Sequence, residues 1–327
     1  MPQRIGKQIH ELLMRSTTIR LIPHQNPDGD AIGAVSALGQ YLRAAGKKVE
    51  FFCATETPQQ LQFITLAHEI SHNPQIWDTP CDVIVVCDSG DPVYAGIDQY
   101  LKKNPHTPVV VIDHHETNTF FGTLNLVSTA HSSTGELLYD YFKANNIQIT
   151  PDIATALLCG IMYDTGSFSN SATSNKSLSV AGILIKSGAS IKKIVQYIYK
   201  DKYINVLKLW GKALANLSYD RELDIASISI SLEDMFVSGV DEERANGIAN
   251  FMHTLKDGSV HMVFREKTDH TVKVSMRTTK DTIDVSLIAR EFGGGGHKKA
   301  AGCTISAPLS HAYETMLPIL KKHLKKI

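Results

Sequence analysis

The stretch "VVVIDHHETN", residues 109–118, decides how the rest of the chain is read. Its first four residues, all β-branched, form a short continuous apolar run, suited to a strand covered on both faces in a parallel sheet. The run ends in an acid and two consecutive histidines, Asp113, His114 and His115. A strand that carries three potential metal ligands at its carboxyl end prompts a search for others that do the same.

Two more do. "TIRLIP" (18–23) leads into "HQNPDGDAIGA", placing His24, Asp28 and Asp30 in the turn before a helix. "VIVV" leads into "CDSGD", which contains Asp88. In a parallel sheet these three turns share one edge, so their side chains can converge. Asp164, in "IMYDTGSF", ends a helix at a glycine-containing turn and can close the ring.

Taken singly, each group has an ordinary explanation. Asp28 and Asp30 fit an Asx turn and a helix N-cap. Asp88 before Ser-Gly also fits a cap, and Asp113 can merely orient a histidine. Taken together, at least four carboxylates and two imidazoles crowded without a cation would repel one another and raise their pKa values. Oxygen ligands mixed with imidazole suit two Mn²⁺ ions, with Mg²⁺, Co²⁺ or Zn²⁺ as alternatives. No cysteine joins the set, which argues against a structural zinc site. Two cations roughly 3.5–4 Å apart activate water and clamp a phosphoryl oxygen during in-line displacement. Asp88, on the middle strand, is the natural bridge between them.

The wider pattern sets an α/β architecture. Strands at 18–23, 48–54, 82–88, 108–113 and 123–127 alternate with helices at 30–45 and near 58–68, which predicts a parallel sheet with helices on both faces. Helical periodicity then dominates, at 134–146, 151–165 and 175–188. After a helical connector, residues 222–230, 259–267 and 271–278 alternate as antiparallel-type strands do, with a helix near 241–256. The expected organisation is a catalytic domain over 1–190, a helical linker over 191–220, and a smaller α/β domain with a mixed sheet over 221–327.

Composition narrows the function. The 327 residues are 43% hydrophobic and 20% charged, as in a globular protein with a substantial core. Lys+Arg and Asp+Glu both number 33. With no net basic field, long duplex nucleic acid is not an expected partner. Neither a signal peptide nor an apolar run of membrane length is evident. The five cysteines are scattered and read as reduced core residues, which points to the cytoplasm. The closing helix ends in lysines, read as favourable charge at a helix C-terminus.

A second unusual stretch is "EFGGGGHKKAAGCTI" (291–305). Four successive glycines weaken the backbone, so either something approaches closely or unusual dihedrals are required. Gly294, Gly295 and Gly296, with His297, Lys298 and Lys299, would suit a phosphate group. A flexible turn before the strand "GCTI" is the plainer alternative.

The motifs "HQNPDGDAIG", "CDSGD", "IDHHETN" and "YDTGSF", in this order over residues 24–170, resemble the four motifs of the DHH phosphoesterase superfamily. "GGGGHKKAAG" resembles the signature loop of the DHH-associated C-terminal domain. The resemblance implies His24 and Asp28 on one Mn²⁺, and Asp30, His114 and Asp164 on the other, with Asp88 shared. It also implies that Asp113 supports the histidines and that His115 points at the substrate phosphate. In the second domain it implies substrate contacts from Arg277 and from the loop ending in His297. Asn118 and Ser133 match positions that often help to bind substrate. Ala34 and Ser89 depart from residues frequent in the family, and neither removes a ligand.

Together these imply catalysis on the first domain and recognition on the second, with a cleft between them that favours short substrates. The expected activity is Mn²⁺-dependent hydrolysis of short oligonucleotides to mononucleotides, with action on adenosine bisphosphate as a close neighbour. The alternative is a phosphodiesterase for cyclic di-AMP or linear di-adenylate. An inorganic pyrophosphatase usually lacks the glycine loop, and a non-catalytic nucleotide-binding module has no need of every ligand. A homodimer is compatible with this architecture.

Overall fold

The computed structural model describes residues 3–199 and 203–324, apart from positions 243, 246 and 253. The chain divides into two compact units, Met1–Asp201 and Lys202–Ile327.

The first unit runs α1 (Gln3–Arg15), β1 (Thr18–Ile22), α2 (Gly29–Ala44), β2 (Lys48–Phe51), β3 (Val83–Cys87), α3 (Asp98–Lys103), β4 (Val109–Asp113), β5 (Leu124–Val127), α4 (Thr134–Ala144), α5 (Pro151–Asp164), α6 (Asn175–Lys186) and α7 (Ile191–Ile194). Its five strands are all parallel, in the order β2-β1-β3-β4-β5. Successive side chains alternate between faces. Leu21, Val85, Val110 and Ile112 therefore pack under α1, α2, α4 and α5, while Ile22, Ile84, Val86 and Val111 pack with Phe52, Ile97 and Trp77. Both β3 and β4 are buried throughout, as their Val/Ile composition requires. The order reverses at β1, with β2 on one side and β3 on the other, which opens a crevice at the carboxyl ends of β1 and β3.

Helices α2 and α5 meet closely because glycines stand at their crossing. A Cβ on Gly33 would strike the Ala156 carbonyl, and one on Gly160 would strike Asp30. This approach brings Asp164, one turn beyond Gly160, alongside the start of α2. The helix expected near 58–68 is replaced by two 3₁₀ turns, Gln59–Leu61 and Ala67–Glu69. Leu61, Ile64 and Ala67 are each anchored in the core, and Leu66 adopts φ +69°, which interrupts a continuous helix.

The second unit runs α8 (Ile204–Ala215), β6 (Ser218–Asp220), β7 (Ile225–Ile230), α9 (Leu232–Ser238), α10 (Ile248–Met252), β8 (Val260–Glu266), β9 (Val272–Thr278), α11 (Val285–Arg290), β10 (Gly295–His297), β11 (Ala300–Ile305) and α12 (Ala312–Leu324). Its sheet is mixed, in the order β10-β11-β9-β8-β7-β6. The strand expected at 222–230 pairs in parallel with β8, not antiparallel, because α9 and α10 provide the crossover that a parallel pair needs. The helix expected near 241–256 is reduced to α10, with 243, 246 and 253 outside the described residues. Of the expected linker, Ile191–Tyr199 lies in the first unit and residues 200–202 lie outside the described residues. Helix α8 packs Val206, Leu209 and Ala213 in one cluster with Ile228 and Ile230 of β7. Lys325 and Lys326 also lie outside the described residues. Among the described residues, no helix is long and apolar enough to cross a membrane.

Gly33→Ala should destabilise the protein by about 1–3 kcal/mol through overpacking at the α2–α5 crossing. Gly182→Ala, on α6 with open space around it, should instead stabilise by about 0.5–1 kcal/mol. Urea unfolding of both variants checks the contrast.

Candidate metal centre

The carboxyl ends of β1, β3 and β4 are adjacent, and each delivers polar side chains to the same edge. Past β1, His24 is buried and its Nδ1 donates to the Gln25 carbonyl at 2.7 Å. That bond leaves Nε2 facing Asp28 Oδ1 at 3.9 Å and Asp88 Oδ2 at 3.6 Å. The Tyr94 ring stacks on the His24 imidazole, with centroids 5.0 Å apart. Asp28 is the N-cap of α2, accepting from the backbone N–H groups of Asp30 and Ala31. The turn reading of "PDGD" is therefore correct for its backbone, and the same carboxylate also faces His24.

Asp88 is the centre of the arrangement. It is 2% exposed and takes φ +62°, a left-handed conformation with a strain of order 1 kcal/mol that aims its side chain across the edge. Its two oxygens face opposite ways. Oδ2 looks to His24, whereas Oδ1 lies 3.6 Å from His114 Nε2. The Thr134 hydroxyl donates to Oδ1 at 2.9 Å and holds the carboxylate in this plane.

Asp30 is fully buried, and its oxygens accept from the backbone N–H groups of Thr134 and Gly135 at 2.6 and 2.8 Å. These donors are the first turn of α4, whose positive end favours an anion. His114 Nε2 lies 3.1 Å from Asp164 Oδ2, and its Nδ1 faces the His131 carbonyl at 3.4 Å. Two three-residue groups therefore have ligand atoms close enough to share an ion: His24, Asp28 and Asp88, and Asp30, His114 and Asp164. A third group, Asp88, His114 and His115, overlaps them.

Asp113 faces away from the ring's centre. Its Oδ1 accepts from His115 Nδ1 at 2.7 Å and from the His114 backbone N–H at 2.9 Å. Its Oδ2 accepts from the Asn118 amide at 2.6 Å. The bond to Asp113 fixes the orientation of the His115 ring through its Nδ1.

Two residues expected against the substrate, Asn118 and Ser133, are buried and engaged by neighbouring protein groups. Asn118 is buried, donating to Asp113 and accepting from the Phe120 backbone N–H, so it braces the His115 support. Ser133 is the buried N-cap of α4 and accepts from the Glu136 backbone N–H at 3.0 Å. A short polar side chain at the start of a helix finds backbone donors before it finds a ligand. Conversely, the sequence reading passed over Thr134, Gly135 and Tyr94. The run "SSTGE" carried a signal for the first two, because Ser-x-x-Glu marks a helix start whose free N–H groups attract an anion.

In the second unit, Arg277 on β9, Ala300 on β11 and His297 on β10 occupy one cross-strand row, so Arg277 and His297 share a face of the sheet. Arg277 donates to the Asn250 side chain at 3.2 Å and the Met276 carbonyl at 3.0 Å. The glycine loop is partly a strand. Gly294 and Gly296 lack a Cβ because β11 lies against them, and Gly296 takes φ +137°. Only Gly295 of these three has open space where a Cβ would stand.

Electrostatics matches the crowding. Burial, with the charges of Asp88 and Asp164, pushes the Asp30 carboxyl well above its usual range. Burial, with Asp28 and Asp88, does the same to Asp164. Burial lowers the affinity of His24 for a proton, but Asp28 and Asp88 outweigh it and raise the pKa to about 10. Neighbouring carboxylates also raise His114 and His115 against the effect of burial. Each of these groups holds its proton more tightly folded than unfolded, so their contribution to stability falls as pH rises. Asp28 and Asp113 are lowered, but their contribution changes only below the unfolded carboxylate range. The metal-free protein should therefore lose thermal stability between about pH 5 and pH 9, and saturating Mn²⁺ should flatten or reverse that slope. Melting curves across this range with chelator and with Mn²⁺ test both signs.

Comparison with known proteins agrees with this geometry. Residues 18–161 match the DHH family N-terminal domain and residues 232–326 match the DHHA1 domain. The bifunctional oligoribonuclease and PAP phosphatase NrnA of Thermus thermophilus is 29% identical over 312 residues, covering 94% of this chain and 90% of that protein. The Bacillus subtilis protein of the same name is 27% identical, covering 88% and 89%. The cyclic-di-AMP phosphodiesterase GdpP of B. subtilis is 26% identical across 95% of this chain, which spans 49% of that longer protein. The fold is that of an exopolyphosphatase-related protein from Bacteroides fragilis, with a TM-score of 0.93 at 23% identity over 99% of this chain and 97% of that one. The first unit thus carries a DHH family N-terminal domain and the second a DHHA1 domain.

Proposed function

We propose that this protein is an Mn²⁺-dependent phosphodiesterase that hydrolyses short oligonucleotides to mononucleotides and removes a phosphate from adenosine bisphosphate. The observation that carries the reading is Asp88, whose two oxygens face two separate ligand groups. The donor set of carboxylates and imidazoles with no thiolate fits a pair of hard divalent cations. The buried carboxyls of Asp30 and Asp164, costly to ionise alone, fit the same conclusion.

When bound, the cations supply Lewis-acid polarisation of the phosphoryl group and a water acidified towards neutral pH. The protein's own groups do the rest. His24, Asp28 and Asp88 would hold one cation, and Asp30, His114 and Asp164 the other, with Asp88 shared. His115, fixed through Nδ1 by Asp113, presents Nε2 to a phosphoryl oxygen. Residues 1–190 carry the chemistry, and the domain after the connector grips the nucleotide. There Arg277 offers a planar fork to phosphate, His297 stands on the same face, and Gly295 leaves its backbone open. Five free cysteines suit a reducing cytoplasm.

The oligonucleotide and adenosine bisphosphate reading is supported by relatives that this chain matches along nearly their whole length. A second reading, cleavage of cyclic or linear di-adenylate, is supported by the match to the longer cyclic-di-AMP phosphodiesterase. A panel of di- to pentaribonucleotides, adenosine bisphosphate, linear and cyclic di-adenylate and pyrophosphate separates the two. Fastest turnover of the cyclic dinucleotide would overturn the first.

Asp88→Asn should lower turnover of the best substrate by roughly a thousandfold, with loss of bound Mn²⁺; undiminished hydrolysis would refute the shared-ligand assignment. His297→Ala should raise KM for nucleotides roughly tenfold while Mn²⁺ content, read by elemental analysis, stays normal.

A further inference from the structure

The loop between β5 and α4 supports three of the candidate ligands at once. The His131 carbonyl faces His114 Nδ1, the Thr134 and Gly135 N–H groups hold Asp30, and the Thr134 hydroxyl holds Asp88. Something must keep that loop in place. Glu136, fully buried, accepts from the Ser132 backbone N–H at 2.9 Å and hydroxyl at 2.6 Å. The His131 side chain is 6% exposed and makes a network of its own. Its Nδ1 lies 2.8 Å from Ser128 Oγ, and its Nε2 lies 3.1 Å from Asp140 Oδ2 on α4. Lys176, from α6, completes the network. Its ammonium reaches Asp140 Oδ2 at 2.6 Å, His131 Nε2 at 2.8 Å and the buried Glu136 Oε1 at 3.5 Å.

We infer that Lys176, through Asp140 and His131, is a positioning residue for the cation held by Asp30, His114 and Asp164. This rests on the two-cation reading above. The physical reason is leverage. Among the described residues, Lys176 is the cation that touches all three side chains, and its ammonium brings the carboxylates of Asp140 and Glu136 together beside the His131 ring. Asp140, paired with His131 and Lys176, stays ionised down to a pKa of about 2, so the pair persists throughout the physiological range. Release of Lys176 removes one of the three side-chain partners that hold His131 and leaves Glu136 buried without its counter-ion. The carbonyl that orients His114 then loses part of its support, whereas His24 is held by the Gln25 carbonyl and Asp28 by the start of α2. Supporting partners of this kind alter metal affinity by about 10–100-fold.

The test uses the full chain and Mn²⁺ alone. Lys176 is 42% exposed at its side chain, so Lys176→Met should still fold, at some cost in stability from the unpaired Glu136. Calorimetric titration of the metal-free protein should resolve two Mn²⁺ binding events. In Lys176→Met one should weaken about tenfold and the other should hold. Lys176→Arg should restore the weakened event, and Asp140→Asn should reproduce the loss. A lowered melting temperature with both affinities unchanged would overturn the inference and leave the two-cation reading standing. A parent protein that binds fewer than two ions would remove both.

Discussion

Four largely buried carboxylates, Asp28, Asp30, Asp88 and Asp164, gather at one edge of the first sheet, and their mutual repulsion is the constraint around which the rest is arranged. Left alone, like charges at this spacing in a poorly solvated place cannot all remain ionised. The protein meets the problem locally with backbone donors. Asp28 takes N–H groups from the start of α2, and Asp30 takes them from the start of α4. Asp88 takes the Thr134 hydroxyl. Asp164 has a shorter list of partners, with His114 the closest, and its carboxyl is pushed up accordingly. What the donors do not neutralise, divalent cations can.

The same constraint explains the glycines and strain in the first unit. Bringing Asp164 to Asp30 requires α2 and α5 to cross at van der Waals contact, which Gly33 and Gly160 permit. Pointing one carboxylate both ways requires Asp88 to leave the strand in a left-handed conformation. A side chain of a short polar residue tolerates that backbone better than a branched one. Asp88 is one of several residues of the first unit at positive φ, and its surroundings hold it there.

The second unit uses glycine differently. Gly294 and Gly296 are required by the neighbouring strand β11, so the glycine-rich stretch is first a packing device. Gly295, with nothing near its missing side chain, is the position that internal packing leaves unexplained. It sits on β10 beside His297, which shares a sheet face with Arg277. An imidazole and a guanidinium on one face suit a phosphate-bearing ligand of the function proposed above.

The sequence by itself determined the parallel sheet and which strand ends carry ligand-type residues. Val/Ile runs of this length are too apolar to be exposed and too short for membrane spans, and parallel strands necessarily end on a common edge. Sequence also marked His24, Asp28, Asp30, Asp88, His114 and Asp164 as candidates, because acid and imidazole clusters after such runs are costly without a purpose. Only the tertiary structure decided what each side chain touches. Asn118 and Ser133 carry side chains able to bind a phosphate, yet a buried carboxylate and a helix start lie nearer and claim them. Thr134, unremarkable in the chain, reaches Asp88 from 46 residues away because α4 packs across the sheet edge. The strand pairing of β7 with β8 and the breakage of the expected helix near 58–68 were likewise set by long-range packing, which local periodicity does not encode.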